Sequence, residues 1–369
     1  MEMHLSDEQR QLDDGVARLM ADRYGFDARQ KIAAQAPGWS TAMWGSYAEM
    51  GLLAIATPSE HGGLDGGGAE LLPVMQAFGR ALVQEPYLAS AVLSATALAG
   101  CTNEAVKSEL LPRMAAGDYR CAFAHEERGV PLDDTQLRAS RAGQGWQLSG
   151  RKCAVLHAAA ADALIVSARS GDGSEGVALF LVQADAVGLA RRDFTLIDQR
   201  SASDLQFAQA PATLLMGPSR ATRDVIRRTL DVGVAALCAE MVGAMRGALE
   251  MTTKYLATRK QFGRPLSDNQ VLRHRCAEML VAIETCEAMA WLAAIAVDAP
   301  DSAEPERDLA RAKLLVGHHG RWVGEQVIQL HGGIGMTDEY AVGHYLQRLT
   351  VNDNLLGNQD AQLDRLLAH

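Results

Sequence analysis

Nowhere does the chain offer about eighteen apolar residues in a row without a charge, and its opening, MEMHLSDEQRQL, is acidic and polar. That start predicts neither a membrane span nor a secretory signal. A basic surplus is missing as well. The formal charge is −10, so nucleic acid is not an expected partner, because gripping a phosphate backbone needs a positive footprint. An anionic ligand has to find a local basic patch. Cys101, Cys121, Cys153, Cys238, Cys276 and Cys286 contain no CxxC pair. Scattered thiols in mostly apolar surroundings read as buried and reduced, which predicts a cytoplasmic location and no metal site. Internal repeats and low-complexity segments are also absent.

What is present is 369 residues, 48% of them hydrophobic, enough for two or three domains with cores of their own. The pattern is helical from Leu5 to about Gly117. Ser6 is a candidate cap for a first helix with apolar Leu12, Val16, Leu19 and Met20, and further helices are expected over Ser40–Met50, Ala69–Leu82, Tyr87–Ala99 and Glu104–Ala115. Between two of them lies ATPSEHGGLDGGGAE, which lacks the Lys and the preceding strand of a phosphate-binding P-loop and reads as a connector. Short alternating runs follow from about Asp118: Gln136–Arg141, Gly145–Leu148, Ala163–Ala168, Val177–Val182 and Asp204–Phe207, each bounded by Gly, Asp or Ser. Long helical runs return from Pro218, over Arg223–Thr258, Asp268–Val297, Pro305–His331 and Val342 to about Leu349. Small residues are dense in Ala235–Gly247, a composition that lets helices approach closely and predicts an oligomer interface.

Two stretches carry the chemistry. In QLHGGIGMTDEY, Gln329 to Tyr340, adjacent glycines end a helical run and let backbone approach a ligand that a Cβ would hold off. A Gly-capped helix leading into a loop explains the same letters. In YLATRKQFGRPLSDNQ, Tyr255 to Gln270, an Arg, a Phe, a Gly-Arg-Pro turn and a helix start precede a Gln. Arg259 can complement the dipole of the helix it follows, or clamp a diphosphate.

Together the two stretches resemble the acyl-CoA dehydrogenase family, flavoproteins that desaturate acyl-CoA thioesters between the α and β carbons. The resemblance spans nearly the whole chain and is strongest from Val242 to Tyr345. It implies an α+β multidomain fold: an N-terminal helical domain (1–117), a small middle β-barrel domain (118–217) and a C-terminal four-helix-bundle domain (218–369). It also implies that Arg259, Gln261, Phe262 and Gln270, with Gln329, Leu330, His331, Gly332 and Gly333, grip the ADP half of FAD bound by a neighbouring subunit. The glycine-rich connector corresponds to a segment that helps shape the acyl pocket, so its glycines imply a distinctive pocket floor. An electron-transfer flavoprotein is the implied acceptor.

Other family features are missing. The base that removes the α-proton is a desolvated Glu in the loop before the last helix; counting from Tyr340, its position in NDNLLGNQ holds Leu356. The alternative base position, counted back from Tyr255, holds Gly233. Nearby carboxylates are Asp353, the candidate catalytic residue, Asp231 and Glu240. Glu240 stands in an apolar, small-residue stretch, where a buried partner Arg or Lys is expected. Family members follow the hairpin Lys with a Trp and a hydroxyl that face the flavin ring, whereas Lys152 in GQGWQLSGRKCAVL is followed by CAVLH. The loop beside the flavin is reduced to HEERGVPLDD, with His125 and Glu126 its nearest echoes. Such a chain resembles the small subunit of heteromeric acyl-CoA dehydrogenases of the pimeloyl-CoA and steroid side-chain types. The implied assembly is a heterotetramer with a Glu-bearing partner, acting in fatty acid or steroid side-chain catabolism. The rival readings are a homo-oligomeric enzyme with an unusual base and a non-catalytic scaffold of the same fold.

Overall fold

The computed structural model describes residues 5–170, 176–261, 263–299 and 304–367. Along the chain the order is helical, β, helical. The first part holds α1 (Asp7–Arg23), α2 (Phe26–Ala33), α3 (Thr41–Glu49), α4 (Gly68–Ala81), α5 (Ala95–Ala99) and α6 (Glu104–Ala115). Ser6 caps α1 in a reciprocal box with Gln9, as its spacing predicts. The helix expected over Tyr87–Ala99 instead begins with a π-helical stretch, Tyr87–Ser94, before α5, and within it the Ser94 hydroxyl donates five residues back to the Ala89 carbonyl.

The β part comprises β1 (Cys121–Ala124), β2 (Arg138–Ala142), β3 (Gly145–Leu156), β4 (Ala163–Arg169), β5 (Val177–Gln183), β6 (Leu189–Thr195) and β7 (Ser201–Met216). Pairing runs β4, β2, β3, β7, β5 and back to β4, so the sheet closes on itself, with β1 beside β4 and β6 beside β7. Closure removes most of the exposed edges. Leu148, Val166, Phe180, Val182, Leu205 and Phe207 form its core. Two strands escaped the sequence reading for opposite reasons. In β1 all four residues are buried, so no alternation shows, and most of β6 is exposed on both faces.

The last part holds α7 (Arg220–Thr258), a two-stranded hairpin of β8 (Lys260–Gln261) and β9 (Arg264–Pro265), α8 (Gln270–Asp298), α9 (Pro305–His331), α10 (Val342–Asn354) and α11 (Gln359–Leu367). By packing, the chain forms two compact units: residues 1–31, 68–83 and 234–369, and residues 32–67 and 84–233. In the first unit Glu240 finds the expected cation. Arg348 Nη1 lies 2.6 Å from Glu240 Oε1, and its Nη2 donates to the Val83 carbonyl at 2.8 Å.

The structure bears on three expectations. The small residues of Ala235–Gly247 are not an exposed interface, because they are spent inside the first unit. A Cβ at Gly243 would lie 1.9 Å from the Gln76 carbonyl oxygen, and one at Gly79 1.9 Å from that of Glu240, so these glycines let the backbones of α4 and α7 touch. The glycine-rich connector likewise has internal uses. Gly63 sits against Thr57 and Gly68 against Ala294, and the Asp298 carboxylate accepts from the Gly68 and Ala69 amides at the start of α4. Finally, α7 and α8 are long and apolar enough to cross a membrane, although the apolar window of α7 is 89% buried within the fold and that of α8 50%.

Candidate functional site

Where α7 ends, the two motif stretches meet. Arg259 follows the last turn of α7, and its backbone holds the hairpin in place, accepting at its carbonyl from the Leu266 amide at 2.9 Å. The hairpin turns at Gly263, whose φ of +78° favours glycine. On the other side, α9 ends at His331, and Gly332 takes φ +64° to turn the chain away. Between them lies an open cleft of about 430 Å³ lined by Tyr255, Arg259, Gln261, Leu266, Val271, Leu272, Arg275, Gln326, Gln329, Leu330, His331 and Gly332.

The structure therefore brings together Arg259, Gln261, Gln329, Leu330, His331 and Gly332. Gln270 is exposed at the start of α8 and, like Gly333, is not among the lining residues. Phe262 lies outside the described residues. Arg275 and Gln326 went unread in the sequence, though each has a signal. Gln326 stands three residues before Gln329 on the same face of α9, and Arg275 four after Val271 on α8.

The cleft is the basic patch that an acidic chain must concentrate locally. Residues 254–275 hold six cations, Lys254, Arg259, Lys260, Arg264, Arg273 and Arg275, against one acid, Asp268, and two of the six, Arg259 and Arg275, line the cleft. Among the described residues the Arg259 guanidinium has no protein partner, whereas Arg275 reaches Glu278 at 3.4 Å and also contacts Gln326. His331 is buried at 4% exposure and stacks on Tyr255, centroids 4.4 Å apart, with Tyr340 5.3 Å away. Its Nδ1 lies 2.7 Å from the Val327 carbonyl, and burial holds the ring's pKa below the usual histidine value. A Cβ at Gly332 or Gly333 would meet nothing within 4 Å. No internal packing demands that Gly333 be glycine.

The candidate base has a different post. Asp353, near the end of α10, accepts from Gln359 Nε2 at 3.0 Å and presses its Oδ1 into the space a Cβ would need at Gly317, while Lys313 donates to the Asp353 backbone carbonyl at 3.1 Å. It serves the packing of α9, α10 and α11, and it lines neither this cleft nor the second cavity. Leu356 is 6% exposed with φ +56°, followed by Gly357 at +92°. The backbone there holds a left-handed turn that leucine does not favour, around a side chain with no proton to exchange.

In the β part, Lys152 is fully enclosed. Its ammonium, with three N–H groups, lies within hydrogen-bonding distance of four oxygens: the His125 carbonyl (2.7 Å), Glu127 Oε1 (2.7 Å), Thr135 Oγ1 (2.8 Å) and Ser167 Oγ (3.0 Å). Burial pulls its pKa down to about 8, against the attraction of Glu127. Burial alone would raise Glu127, but the Lys152 charge and the hydrogen bonds it accepts bring it below its usual value. Lys152 is thus committed to closing the 125–137 loop on the barrel. The expected echoes of a flavin loop share that arrangement: His125 is buried and bonded to Ser167 and the Leu132 carbonyl. Just after Lys152 the β3–β7 register slips, and Ala154 adopts φ +49°.

A second cavity, about 920 Å³, lies in the first unit among α1, α4, α7 and α8. Four of its charges are paired, Arg80 with Glu250 at 2.5 Å and Arg246 with Glu287 at 3.3 Å. None of the candidate catalytic or cofactor-binding residues named from the sequence lines it.

Comparison with known proteins bears on both units. The chain matches the family models for the acyl-CoA dehydrogenase N-terminal domain over residues 6–118, the middle domain over 122–210 and the C-terminal domain over 223–369. Among curated relatives, probable acyl-CoA dehydrogenase YngJ of Bacillus subtilis is 28% identical, covering 86% of each chain. Acyl-CoA dehydrogenase FadE27 of Mycobacterium tuberculosis is 27% identical over 88% of this chain and 86% of its own. Among solved structures, a variant of the Tcur3481-Tcur3483 steroid ACAD has TM-score 0.88 and 31% identity, covering 98% of this chain and 97% of that one. The ChsE4-ChsE5 complex of Mycobacterium tuberculosis has TM-score 0.88 at 24% identity, covering 100% and 98%, a likeness of fold.

Proposed function

The chain belongs to the acyl-CoA dehydrogenase family, FAD-dependent oxidoreductases acting on acyl-CoA, and from that premise we propose that it is the supporting subunit of a heteromeric acyl-CoA dehydrogenase. One contrast carries the reading. Its cleft gathers Arg259, Gln261, Gln329 and His331 from separate segments, while the position corresponding to the family base holds a buried leucine, Leu356. The cleft fits the ADP half of FAD on its own chemistry. A guanidinium without a protein partner among the described residues suits a diphosphate, glutamine amides offer both donors and acceptors to sugar and base, and Gly332 lines the cleft without a side chain.

When bound, FAD supplies the two-electron oxidant for desaturation. This chain's part is to hold and orient: Arg259 neutralises the diphosphate, and Gln261 and Gln329 fix its direction. Proton removal falls to a Glu on the partner subunit, because neither Leu356 nor Gly233 can take a proton. The assembly of ChsE4 with ChsE5 supports a two-chain arrangement, and the steroid ACAD at 31% identity makes a steroid side-chain thioester the first substrate to assay. Electrons pass on to an electron-transfer flavoprotein, and the setting is the cytoplasm.

Flavin retention tests the reading. A charge-assisted hydrogen bond is worth roughly 1.5–3 kcal/mol, so Arg259→Ala in the assembled complex should release FAD on extensive dialysis that the parent survives. Equal flavin content in the two would count against it.

A further inference from the structure

The cavity among α1, α4, α7 and α8 is open because its walls are short of side chain. Ala17 and Ala21 line it one helical turn apart on α1, as do Ala77 and Ala81 on α4, so methyl groups stand where longer side chains would close the gap. Its volume of about 920 Å³ is enough for a whole small molecule. Tyr24, Phe26, Trp291 and Tyr345 add aromatic wall. We infer that this cavity binds a small organic cation, an amine with an apolar or aromatic body, and that Asp13 receives its ammonium group.

Charge decides the class of ligand. Glu250 holds Arg80 at 2.5 Å, and Glu287 accepts from Gln76 Nε2 at 2.8 Å and meets Arg246 at 3.3 Å. Asp13, half-buried on α1, is the lining carboxylate with no hydrogen bond or ion pair among the described residues. Burial raises its pKa, Asp14 and Glu287 add to the rise and Arg80 opposes it, so Asp13 shares one field with groups on α4 and α8 across the cavity. The cations on the walls are already engaged. Arg246 also reaches Glu284 at 3.0 Å, and Arg29, 1% exposed, turns to the Leu82 carbonyl at 2.9 Å and to His344. An anionic ligand would therefore meet Asp13, Glu250 and Glu287 with no cation left to receive it. A bare metal ion is not supported either, since no group of three or more metal-binding side chains occurs among the described residues. An organic cation suits both features, its charge drawn to carboxylate and aromatic face and its carbon body covering apolar wall.

Three indoles of similar shape serve as probes: tryptamine, a cation; tryptophol, the neutral alcohol; and indole-3-acetate, an anion. Calorimetry and ligand-observed NMR on the intact chain, near neutral pH and at low salt, should show tryptamine binding about tenfold tighter than tryptophol and indole-3-acetate weaker than both. Added salt should erode the advantage of tryptamine and leave tryptophol unchanged, because a half-exposed ion pair is screened. Asp13→Asn keeps the size of the side chain and removes its charge. It should bring tryptamine down to the affinity of tryptophol while tryptophol itself is unaffected, which certifies the fold. Ala17→Trp, which fills the cavity from an exposed position on α1, should weaken both. Equal affinity for amine and alcohol in the parent, unchanged tryptamine affinity in Asp13→Asn, or full binding in Ala17→Trp would overturn the inference, as would failure of the parent to bind tryptamine at millimolar concentration.

Discussion

Met in place of Lys152 would leave Glu127, with a side chain only 9% exposed, facing a cavity with no cation. Removing one member of a buried ion pair costs about 3–5 kcal/mol, because the stranded charge keeps its desolvation penalty. Urea unfolding of Lys152→Met should show a loss of that order, and a shift below about 1 kcal/mol would mean that the pair is not what closes the 125–137 loop. The neighbouring His125 sets a pH dependence. Burial first, and then the Lys152 charge, push its pKa from 6.5 to about 4. Between those values the unfolded chain binds the proton and the folded chain refuses it, so stability rises with pH through this window and is lost as pH falls from 6.5 towards 4. The full difference corresponds to about 3 kcal/mol. His331 and His344, also held low by burial, act in the same direction, so His125→Asn should flatten the profile without abolishing it. An unchanged profile in that variant would remove His125 from the account. At this scale the sequence was partly legible. Arg259 and Gln329 stand out because their motifs have fixed spacing, whereas Arg275 and Gln326 acquire a role only when α8 and α9 pack. The committed state of Lys152 depends on Glu127, Thr135 and Ser167 arriving from elsewhere, and no spacing rule announces it.

Among elements, the contact between α4 and α7 depends on two hydrogens. At Gly79 an added methyl would stand 1.9 Å from the Glu240 carbonyl oxygen, a clash with backbone that no rotamer relieves. Alanine is the better helix former by about 1 kcal/mol, but separating the helices also disturbs the Arg348 anchor to Glu240 and Val83. Gly79→Ala should therefore destabilise by roughly 1–3 kcal/mol. Gly45 is the control: it lies inside α3, exposed, with nothing within 4 Å of its missing methyl. Gly45→Ala should stabilise by a few tenths to about 1 kcal/mol. Equal thermal shifts for the two variants would show that helix propensity, and not the close approach, governs both. These glycines explain why Ala235–Gly247 misleads a reader of sequence. Small residues announce close packing, but they do not say whether the partner helix belongs to the same chain or to another copy. Long helices such as α9, by contrast, were readable nearly to the residue, because their apolar period persists for many turns.

For the molecule as a whole, the order helical, β, helical was legible from the change of hydrophobic period, and the closed barrel followed from the family resemblance. On the proposed reading, the residues for binding and the missing base lie in different places. The cleft of Arg259, Gln329 and His331 is assembled, while Leu356 keeps the left-handed turn of its loop and presents only hydrocarbon. General-base catalysis contributes typically two to four powers of ten in rate, so a chain without it should desaturate acyl-CoA thioesters at background. The decisive measurement is turnover of a panel of acyl-CoA thioesters, including one with a steroid side chain, by the purified chain alone and by Asp353→Asn, with FAD and an electron acceptor supplied. The account predicts background rates for both and activity once a Glu-bearing family member is co-assembled. Ordinary turnover by the chain alone that disappears in Asp353→Asn would contradict it and make this protein a self-sufficient enzyme.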